Sequence, residues 1–469
     1  MEQILNYYNR VASSWCSYRK KHAYYWNSIT RYCNYFIPKD HKVLEIGCAT
    51  GELLNDLDAT KKTGIDFSAE MISRAKTQFP GIRFSEMPAE NITLTEQFDT
   101  IIMSNLVGVL PDVESAFNQL NKIVHPGSRI IITYYNRLWE PFLKLAEWLG
   151  IKRKTPIQNW LSTNDLKNLL YLTGFETYRM TKNLLIPVRI PVISWLFNHI
   201  ISRLPLIRHL SLNSYIFARP APHFQEMEKP FTTSVVIPAR NEAGNIEEAV
   251  RRIPHFGEHV EIIFVEGNSD DNTWEVIRKI KERYRHWHDI KALQQPGKGK
   301  GDAVRAGFNA ANGEVLMILD ADLTVPPEYL PRFYQALTFY KGDFINGVRL
   351  VYPMEKNAMR PLNTVGNYFF SILFSWLLEQ PVKDTLCGTK VMFRCDYQRL
   401  AQNRPFFGEF DPFGDFDLLF GAYKINLKII DLPVRYRERK YGSTNISRFS
   451  HGLILLKMAA FAAVKIKFW

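Results

Sequence analysis

The sequence predicts an α/β protein made of two doubly wound domains in tandem, and three observations predict it. Short β-rich apolar runs alternate with helical patterns over residues 42–135 and again over 232–330, as strands do when crossover helices return them in parallel. Each series opens with a strand that stops abruptly in a turn, Glu45-Ile-Gly47-Cys-Ala-Thr-Gly51 in the first and Pro238-Ala239-Arg-Asn-Glu242 in the second. Between the two series, residues 219–231 (RPAPHFQEMEKPF) combine proline with polar side chains and show no period, which reads as a linker. The expected organisation is a domain over 1–222, a linker over 223–230 and a domain over 231–469.

Composition agrees with two soluble cores. A chain of 469 residues exceeds one ordinary core, and 46% hydrophobic with 23% charged residues is usual for a globular protein. A net charge of +12 points to an anionic partner or surface, for which nucleic acid and anionic lipid head groups both qualify. Five scattered cysteines offer neither zinc-ligand spacing nor a disulfide framework, so a reducing cytoplasm is expected. The first 15 residues lack the charged and apolar regions of a signal peptide, and no window holds about 18 uninterrupted apolar residues. Leu184–Phe217, Leu362–Val382 and Phe449–Trp469 mix Trp and Phe with Arg, Lys or His, which suits segments lying at a membrane surface; buried core helices are the alternative. Peripheral attachment to the cytoplasmic face of a membrane follows as an expectation.

Residues 6–36 are rich in Tyr and Trp at helical spacing, fit either to cover a small-molecule site or simply to pack on the next element. VLEIG is the first strand, GELLNDL a helix entered through a glycine turn, TGIDF a strand and SAEMISRAKTQF a helix. FDTIIMSN, GSRIIITYYN and SLNSYIFARP supply further strands, with the helix VESAFNQLNKIV between the first two. A ligand of such a sheet lies at the carboxyl ends of its strands. Gly47 and Gly51 allow a tight turn there and a close backbone approach, in a G-x-x-x-G spacing that differs from the dinucleotide fingerprint. Asp66, about 20 residues after the first turn, ends the second strand where a carboxylate can accept ribose hydroxyls.

Over residues 40–135 these motifs resemble the class I S-adenosylmethionine-dependent methyltransferases, whose first motif is [VL]-L-[ED]-x-G-x-G-x-G. The resemblance implies a Rossmann-like domain with S-adenosylmethionine as cofactor and Glu45 in its binding set. Gly47 to Gly51 would line the methionine part, Asp66 would hold the ribose, and Phe67 and Met71 would flank the adenine. Ala89-Glu90 matches the family's D-A-E element, and Asn105 stands where the family faces the methyl group. Two positions depart: Ala49 replaces the middle glycine, and Pro88 replaces the leading acid of D-A-E. No general base for a methyl acceptor is legible.

In the second series TTSVVIPARNE and EIIFVEGNSDDNT are strands ending in Glu242 and Glu266, with helices at Asn245–Ile253 and Trp274–Tyr284. QQPGKGKGDAV is a loop opening a helix; it lacks the Walker A pattern, but Lys298 and Lys300 among glycines suit a diphosphate at a helix N-terminus. The strand VLMILDAD then ends in Asp320 and Asp322. Two apart on an extended strand, their carboxylates would point the same way and suit a Mg²⁺ or Mn²⁺ bridging to phosphates; capping of the following helix is the bland reading.

The succession IPARNE, VEGNSDDNT, GKGKGDAVRAG and DADLTVPPE resembles the family-2 glycosyltransferases of GT-A fold, from about Thr232 to Ser447. Within them, DTLCGTKVMF and VRYRERKYGSTN are similar to elements of the dolichyl- and undecaprenyl-phosphate sugar synthases. The resemblance implies that Pro238, Ala239, Glu242 and Glu266 contact a GDP- or UDP-linked sugar, with Asp271 supporting their loop and Lys298 and Lys300 on the diphosphate. Asp320 and Asp322 would hold the metal, and Arg349, Arg360, Lys390 and Arg439 would receive a polyprenyl phosphate. Asp384 would orient the acceptor or cap a turn. Departures are Asn445 for a lysine and Glu266 for the usual aspartate.

Chemistry points the same way. A hydroxyl acceptor needs a positioned base, whereas a lipid phosphate is already anionic and needs cations to bring it beside a diphosphate. Transfer to a saccharide or protein hydroxyl, RNA methylation by a basic protein, and a scaffold with decayed sites are the competing readings. No RNA-binding motif is present, and the basic residues are interleaved with apolar ones, so no nucleic-acid partner is expected.

Overall fold

Apolar runs bounded by turn residues become strands here because burial on both faces leaves their backbone groups no partner except one another. The computed structural model describes residues 2–156, 158–221, 230–351, 361–404, 414–439, 441 and 448–468. The chain divides into two units, Met1–Ala221 and Pro222–Lys467.

The first unit holds one seven-stranded sheet: β1 (Lys42–Ile46), β2 (Lys61–Asp66), β3 (Arg83–Glu86), β4 (Thr100–Ser104), β5 (Arg129–Tyr135), β6 (Phe175–Asn183) and β7 (Asn213–Pro220). Their order is β3-β2-β1-β4-β5-β7-β6. The first five run parallel, and β7 enters antiparallel between β5 and β6. The order reverses between β1 and β4, so the crevice beyond their carboxyl ends is the natural ligand position. Gly47 (φ +75°) and Gly51 (φ +84°) turn the chain there, and a Cβ on Gly51 would stand 2.6 Å from the Phe84 ring. Ala49 holds φ +48° in the same turn, a left-handed value that explains why the family places glycine at this point. The aromatic N-terminus forms two helices, Glu2–Lys21 and Ala23–Phe36. The second packs on the sheet, with Tyr32 4.2 Å from Tyr215 and Phe36 5.0 Å from Phe217, ring centre to ring centre. Only β7 takes up the end of Leu184–Phe217; the preceding residues form short helical turns between Ile193 and Leu210.

The second unit holds another seven-stranded sheet: β8 (Thr232–Ala239), β9 (His259–Glu266), β10 (Asp289–Gln294), β11 (Val315–Ile318), β12 (Phe344–Val348), β13 (Lys390–Phe393) and β14 (Ile429–Pro433). The order is β10-β9-β8-β11-β13-β12-β14, with β13 antiparallel to both neighbours. Reversal between β8 and β11 brings Glu242, Glu266 and Asp320 to one edge. One expectation is corrected. β11 ends at Ile318, and residues 320–323 form a turn in which Leu323, at φ +53°, donates its amide to the Asp320 carbonyl at 3.1 Å. The rule that side chains two apart share a face therefore does not apply to Asp320 and Asp322.

Leu362–Val382 and Phe449–Trp469 form the helices Pro361–Leu378 and Arg448–Ile466, which pack against one another. Their inner faces are core: Phe374 stacks on Phe420, and Lys467 pairs with Glu379 at 2.6 Å with both side chains under 5% exposed. Their outer faces leave Ile372 73% and Val464 59% exposed. Among the described residues no helix is long and apolar enough to cross a membrane.

Helix Lys300–Ala310 reaches the site edge because Gly307 lets it lie on β8; a Cβ there would sit 2.3 Å from Val236. Gly307→Ala gains about 1 kcal/mol of helix propensity but overpacks the core by about 1–3 kcal/mol. A net loss of stability, read as a lower urea midpoint, is expected; a raised midpoint would show that the helix does not rest on β8 in this way.

Candidate active sites

At the switch point of the first unit lies a pocket lined among others by Tyr8, Gly47, Asp66, Phe67, Ala89 and Glu90. Asp66, at the end of β2, accepts amide hydrogens from Ala49 (2.9 Å) and Ser68 (3.0 Å). Burial pushes its carboxyl up to about 6 against those bonds. Phe67 meets Tyr8 edge-on at 5.6 Å, and Ser68 donates to Asn9 at 2.6 Å, so the first N-terminal helix is the lid of this cavity. Glu90 has a buried oxygen without a partner among the described residues, which offers an acceptor where Pro88 does not.

Glu45 lies on β1 behind the glycine turn. Burial pushes its carboxyl up to about 8, Arg19 of the first helix opposing, and one carboxylate oxygen is unpartnered among the described residues. Asn105 follows β4 at φ +53°, accepts a hydrogen bond from the Tyr25 hydroxyl at 3.1 Å, and has a buried, unpartnered amide nitrogen. Met71 is fully buried on helix Ala69–Gln78, and neither it nor Gly51 is among the cavity-lining residues. Arg19, Tyr8 and Tyr25 were missed as site residues; their signal was the aromatic density of residues 6–36.

At the acidic edge of the second unit each carboxylate has its own cation or amide. Asp320 pairs with Lys300 at 2.6 Å. Burial pushes its carboxyl up, and Lys300, with Arg349 and Lys390 nearby, more than reverses this and leaves it below the ordinary aspartate value. Gly388 is pressed against this pair, where a Cβ would come 2.1 Å from the Asp320 carboxylate. Asp322 accepts from the Thr324 amide (3.1 Å) and hydroxyl (2.8 Å) within the turn, while its other oxygen takes Arg439 at 2.7 Å; neither Asp322 nor Thr324 caps the following helix, whose N-terminus has no side-chain cap. Arg439 also donates to Glu242 at 2.9 Å. The sequence reading has Arg439 among the acceptor-phosphate cations; in the structure it bridges Asp322 and Glu242. Burial holds the Glu242 carboxyl at about 7 despite that arginine.

Pro238 and Ala239 close β8 beside Val265 and Glu266 of β9. Glu266 accepts the Ser269 amide at 2.5 Å, and Asp271 caps helix Thr273–Tyr284 through the Thr273 amide at 2.9 Å. Thr273 in turn accepts the Glu242 amide at 3.0 Å, so Asp271 and Glu242 are joined through Thr273. Lys298 is exposed on its loop. Asp384 is fully buried and holds Arg349 by two bonds, 2.7 and 2.8 Å, plus its amide at 3.1 Å. Burial opposes the charge of both partners, yet their attraction wins: Asp384 lies below and Arg349 well above its ordinary value. Lys390 is buried on β13 and donates to the Cys387 carbonyl. Arg360 and Asn445 lie outside the described residues. Among the described residues no three acids, histidines or cysteines gather as a metal cluster.

A family model described as glycosyl transferase family 2 matches residues 234–406, and one described as a methyltransferase domain matches 18–179, the two families read from the motifs. The dolichyl-phosphate hexose transferase of Haloferax volcanii is 31% identical over 200 residues, 42% of this chain and 78% of that protein. The dolichol-phosphate mannosyltransferase of Pyrococcus furiosus is 37% identical over 107 residues, 22% of this chain and only 29% of its own length. Among solved structures, a SAM-dependent methyltransferase from Thermotoga maritima, described as a possible histamine N-methyltransferase, is similar at a TM-score of 0.38 and 20% identity, covering 47% of this chain and 100% of that one. The glucosyl-3-phosphoglycerate synthase of Mycobacterium tuberculosis, solved with Mn²⁺ and UDP, is similar at 0.38 and 18%, covering 50% and 80%.

The Arg349–Asp384 pair generates a stability test. Asp384→Ala leaves a buried guanidinium uncompensated and is expected to cost about 3–5 kcal/mol. Replacing both by Asp384→Ala with Arg349→Leu should cost less than the single change. Equal or larger loss in the double variant, read from urea midpoints, would show that the pair is not the source of the cost.

Proposed function

This chain belongs to glycosyl transferase family 2 and carries a methyltransferase domain, which makes it a transferase, and from that premise we propose that its second unit moves a sugar from a GDP- or UDP-linked donor to a polyprenyl phosphate. The carrying observation is the acidic turn at Asp320–Asp322 ringed by Lys300, Arg349, Lys390 and Arg439. Glu242, Glu266 and the ends of β8 and β9 would hold the nucleoside, with Asp271 keeping their loop in place. Asp320 and Asp322 would hold a Mg²⁺ or Mn²⁺, which neutralises the diphosphate leaving group when bound. Lys300, at the first turn of its helix, would add its charge and the helix N-terminus to the same phosphates.

The incoming lipid phosphate is already an anion. It needs no base; Arg349, fixed by Asp384, and Lys390 would set it in line behind the anomeric carbon, and displacement from that side inverts the configuration. Asp384 has both oxygens committed to Arg349 and an acidic carboxyl, so it is a positioning residue and not the base a hydroxyl acceptor would require. The outward faces around Ile372 and Val464 would rest on a bilayer surface and give the lipid access, which implies peripheral attachment at the cytoplasmic face.

In the first unit the residues fit S-adenosylmethionine: Asp66 for the ribose, Phe67 for the adenine face, Glu90 for the adenine amino group, Glu45 for the methionyl ammonium and Arg19 for its carboxylate. When bound, that cofactor supplies an electrophilic methyl group; Asn105 and Tyr25 would face the acceptor.

Purified protein with membranes, Mg²⁺ and radiolabelled nucleotide sugars should place label in an organic-solvent extract. Asp322→Ala should lower that transfer at least about 100-fold. Label confined to water-soluble product would overturn the lipid-phosphate reading. A pH test addresses the first unit. Glu45 is raised to about 8 in the free protein, so it must lose a proton before it can pair with an ammonium. Affinity for S-adenosylmethionine should therefore rise with pH between about 6 and 8, by up to about tenfold per unit, and Glu45→Gln should flatten the rise. Calorimetry showing wild-type affinity constant over that range would remove Glu45 from the ammonium site.

A further inference from the structure

The first unit exposes more apolar surface than its cavity needs. Helix Glu140–Trp148 leaves Phe142 62%, Leu145 52% and Trp148 81% exposed, and the turns between Ile193 and Leu210 leave Trp195 56% and Leu206 85% exposed. Hydrogen bonds tie the two segments together. The Trp139 indole donates to the Leu210 carbonyl at 2.7 Å, and the Asn136 amide donates to the carbonyls of His209 and Ser211 at 2.8 Å. Large contiguous apolar patches on folded proteins mark contact surfaces.

Charge says what covers it. Residues 137–154 and 182–210 contain nine lysines and arginines against two carboxylates, Glu140 and Glu147. Both carboxylates are paired, with Lys144 at 2.6 Å and with Lys152. At the edge of the face lies a hollow lined by Tyr18, Lys21, His22, Ile151 and Arg153. Arg153 is held over the Tyr18 ring at 4.7 Å and bonded to the Ser14 hydroxyl at 2.8 Å, yet one guanidinium nitrogen is buried without a partner among the described residues. Next to Arg153 in sequence, Lys152 lies 5.9 Å from the Tyr135 ring, and Tyr135 lies 5.9 Å from Tyr25, which bonds Asn105.

We propose that the first unit docks on an anionic lipid bilayer through this face, with a lipid phosphate in the hollow of Lys21, His22 and Arg153, so that its methyl acceptor is an amphipathic molecule presented from the bilayer. Trp, Phe and Leu side chains enter the interface and the surrounding cations meet the head groups, the division of labour of an interfacial segment. The inference goes beyond the sugar transfer proposed for the second unit and stands without it.

The test is hydrogen exchange of the full chain, read by mass spectrometry peptide by peptide. Vesicles of phosphatidylcholine with phosphatidylglycerol should slow exchange in 138–151 and 193–210 about tenfold, and phosphatidylcholine alone should slow it much less. Trp148→Glu with Leu206→Glu, both at exposed positions, should remove that protection and leave any protection of 368–378 and 453–464 unchanged. Lys21→Glu should reduce the preference for the anionic vesicles about fivefold. Protection confined to the second unit would overturn the proposal. So would protection that is already complete without vesicles, or that grows with protein concentration alone, since the face would then be covered by this chain or by a second copy. Because the readout is local, it is independent of whether sugar transfer is observed.

Discussion

A buried carboxylate is stable in its charged form only when a cation or a set of amides stands against it, and this requirement organises the carboxyl edge of the second sheet. Asp384 has Arg349, Asp320 has Lys300, and Asp322 and Glu242 share Arg439. Those pairings explain otherwise unconnected features of the fold. Gly388 has no side chain because the Asp320–Lys300 pair occupies the space. The segment after β14 crosses toward the acidic turn, with Val434 bonded to Val348 and Arg437 to Thr324, and so delivers Arg439. Helix Lys300–Ala310 lies close on β8 so that its first residue meets Asp320.

The balance between burial and counter-charge differs from one carboxylate to the next. In the second unit cations outweigh burial at Asp320 and Asp384, which remain acidic, while burial keeps Glu242 at about 7 despite Arg439. In the first, burial wins: Glu45 stands at about 8 and Asp66 at about 6, with unpartnered oxygens on Glu45 and Glu90. A site that brings its own cations is suited to receive anions, as a diphosphate and a lipid phosphate are. A site whose acids are left with unpartnered oxygens, as Glu45 and Glu90 are among the described residues, would on the proposed reading suit a ligand that carries hydrogen-bond donors.

Most of the architecture was legible because strands buried on both faces, such as IIM in β4 and VLMI in β11, read as unbroken apolar runs. The strands that escaped are those whose burial is hidden by their composition. β6 carries Arg179, 1% exposed, over the rings of Phe36 and Phe217 at 4.7 and 5.2 Å, a polar residue made compatible with burial by partners far away in sequence. β10 reads as loop because its neighbours are glycine and lysine. Strand-end residues of the sites, from Gly47 and Asp66 to Glu242 and Asp320, were found by position alone. Arg19, Tyr8 and the destination of Arg439 depend on how distant segments dock, which no local pattern encodes.

The turn at Asp320–Leu323 shows why that last kind of information matters for chemistry. On a continued strand the two carboxylates would face one side, and like charges at that distance in a buried edge repel strongly. In the turn Lys300 and Arg439 meet the two carboxylates from different elements. Two monovalent cations therefore hold the acids at rest, in the place where one divalent ion would serve on the proposed reading. On that reading Asp320 and Asp322 would hold the metal, which would supply charge to the diphosphate, and Lys300 and Arg439 would be the cations left to meet the same phosphates. Donor and metal would then stabilise each other's binding, because neither leaves a buried charge uncompensated when both are present.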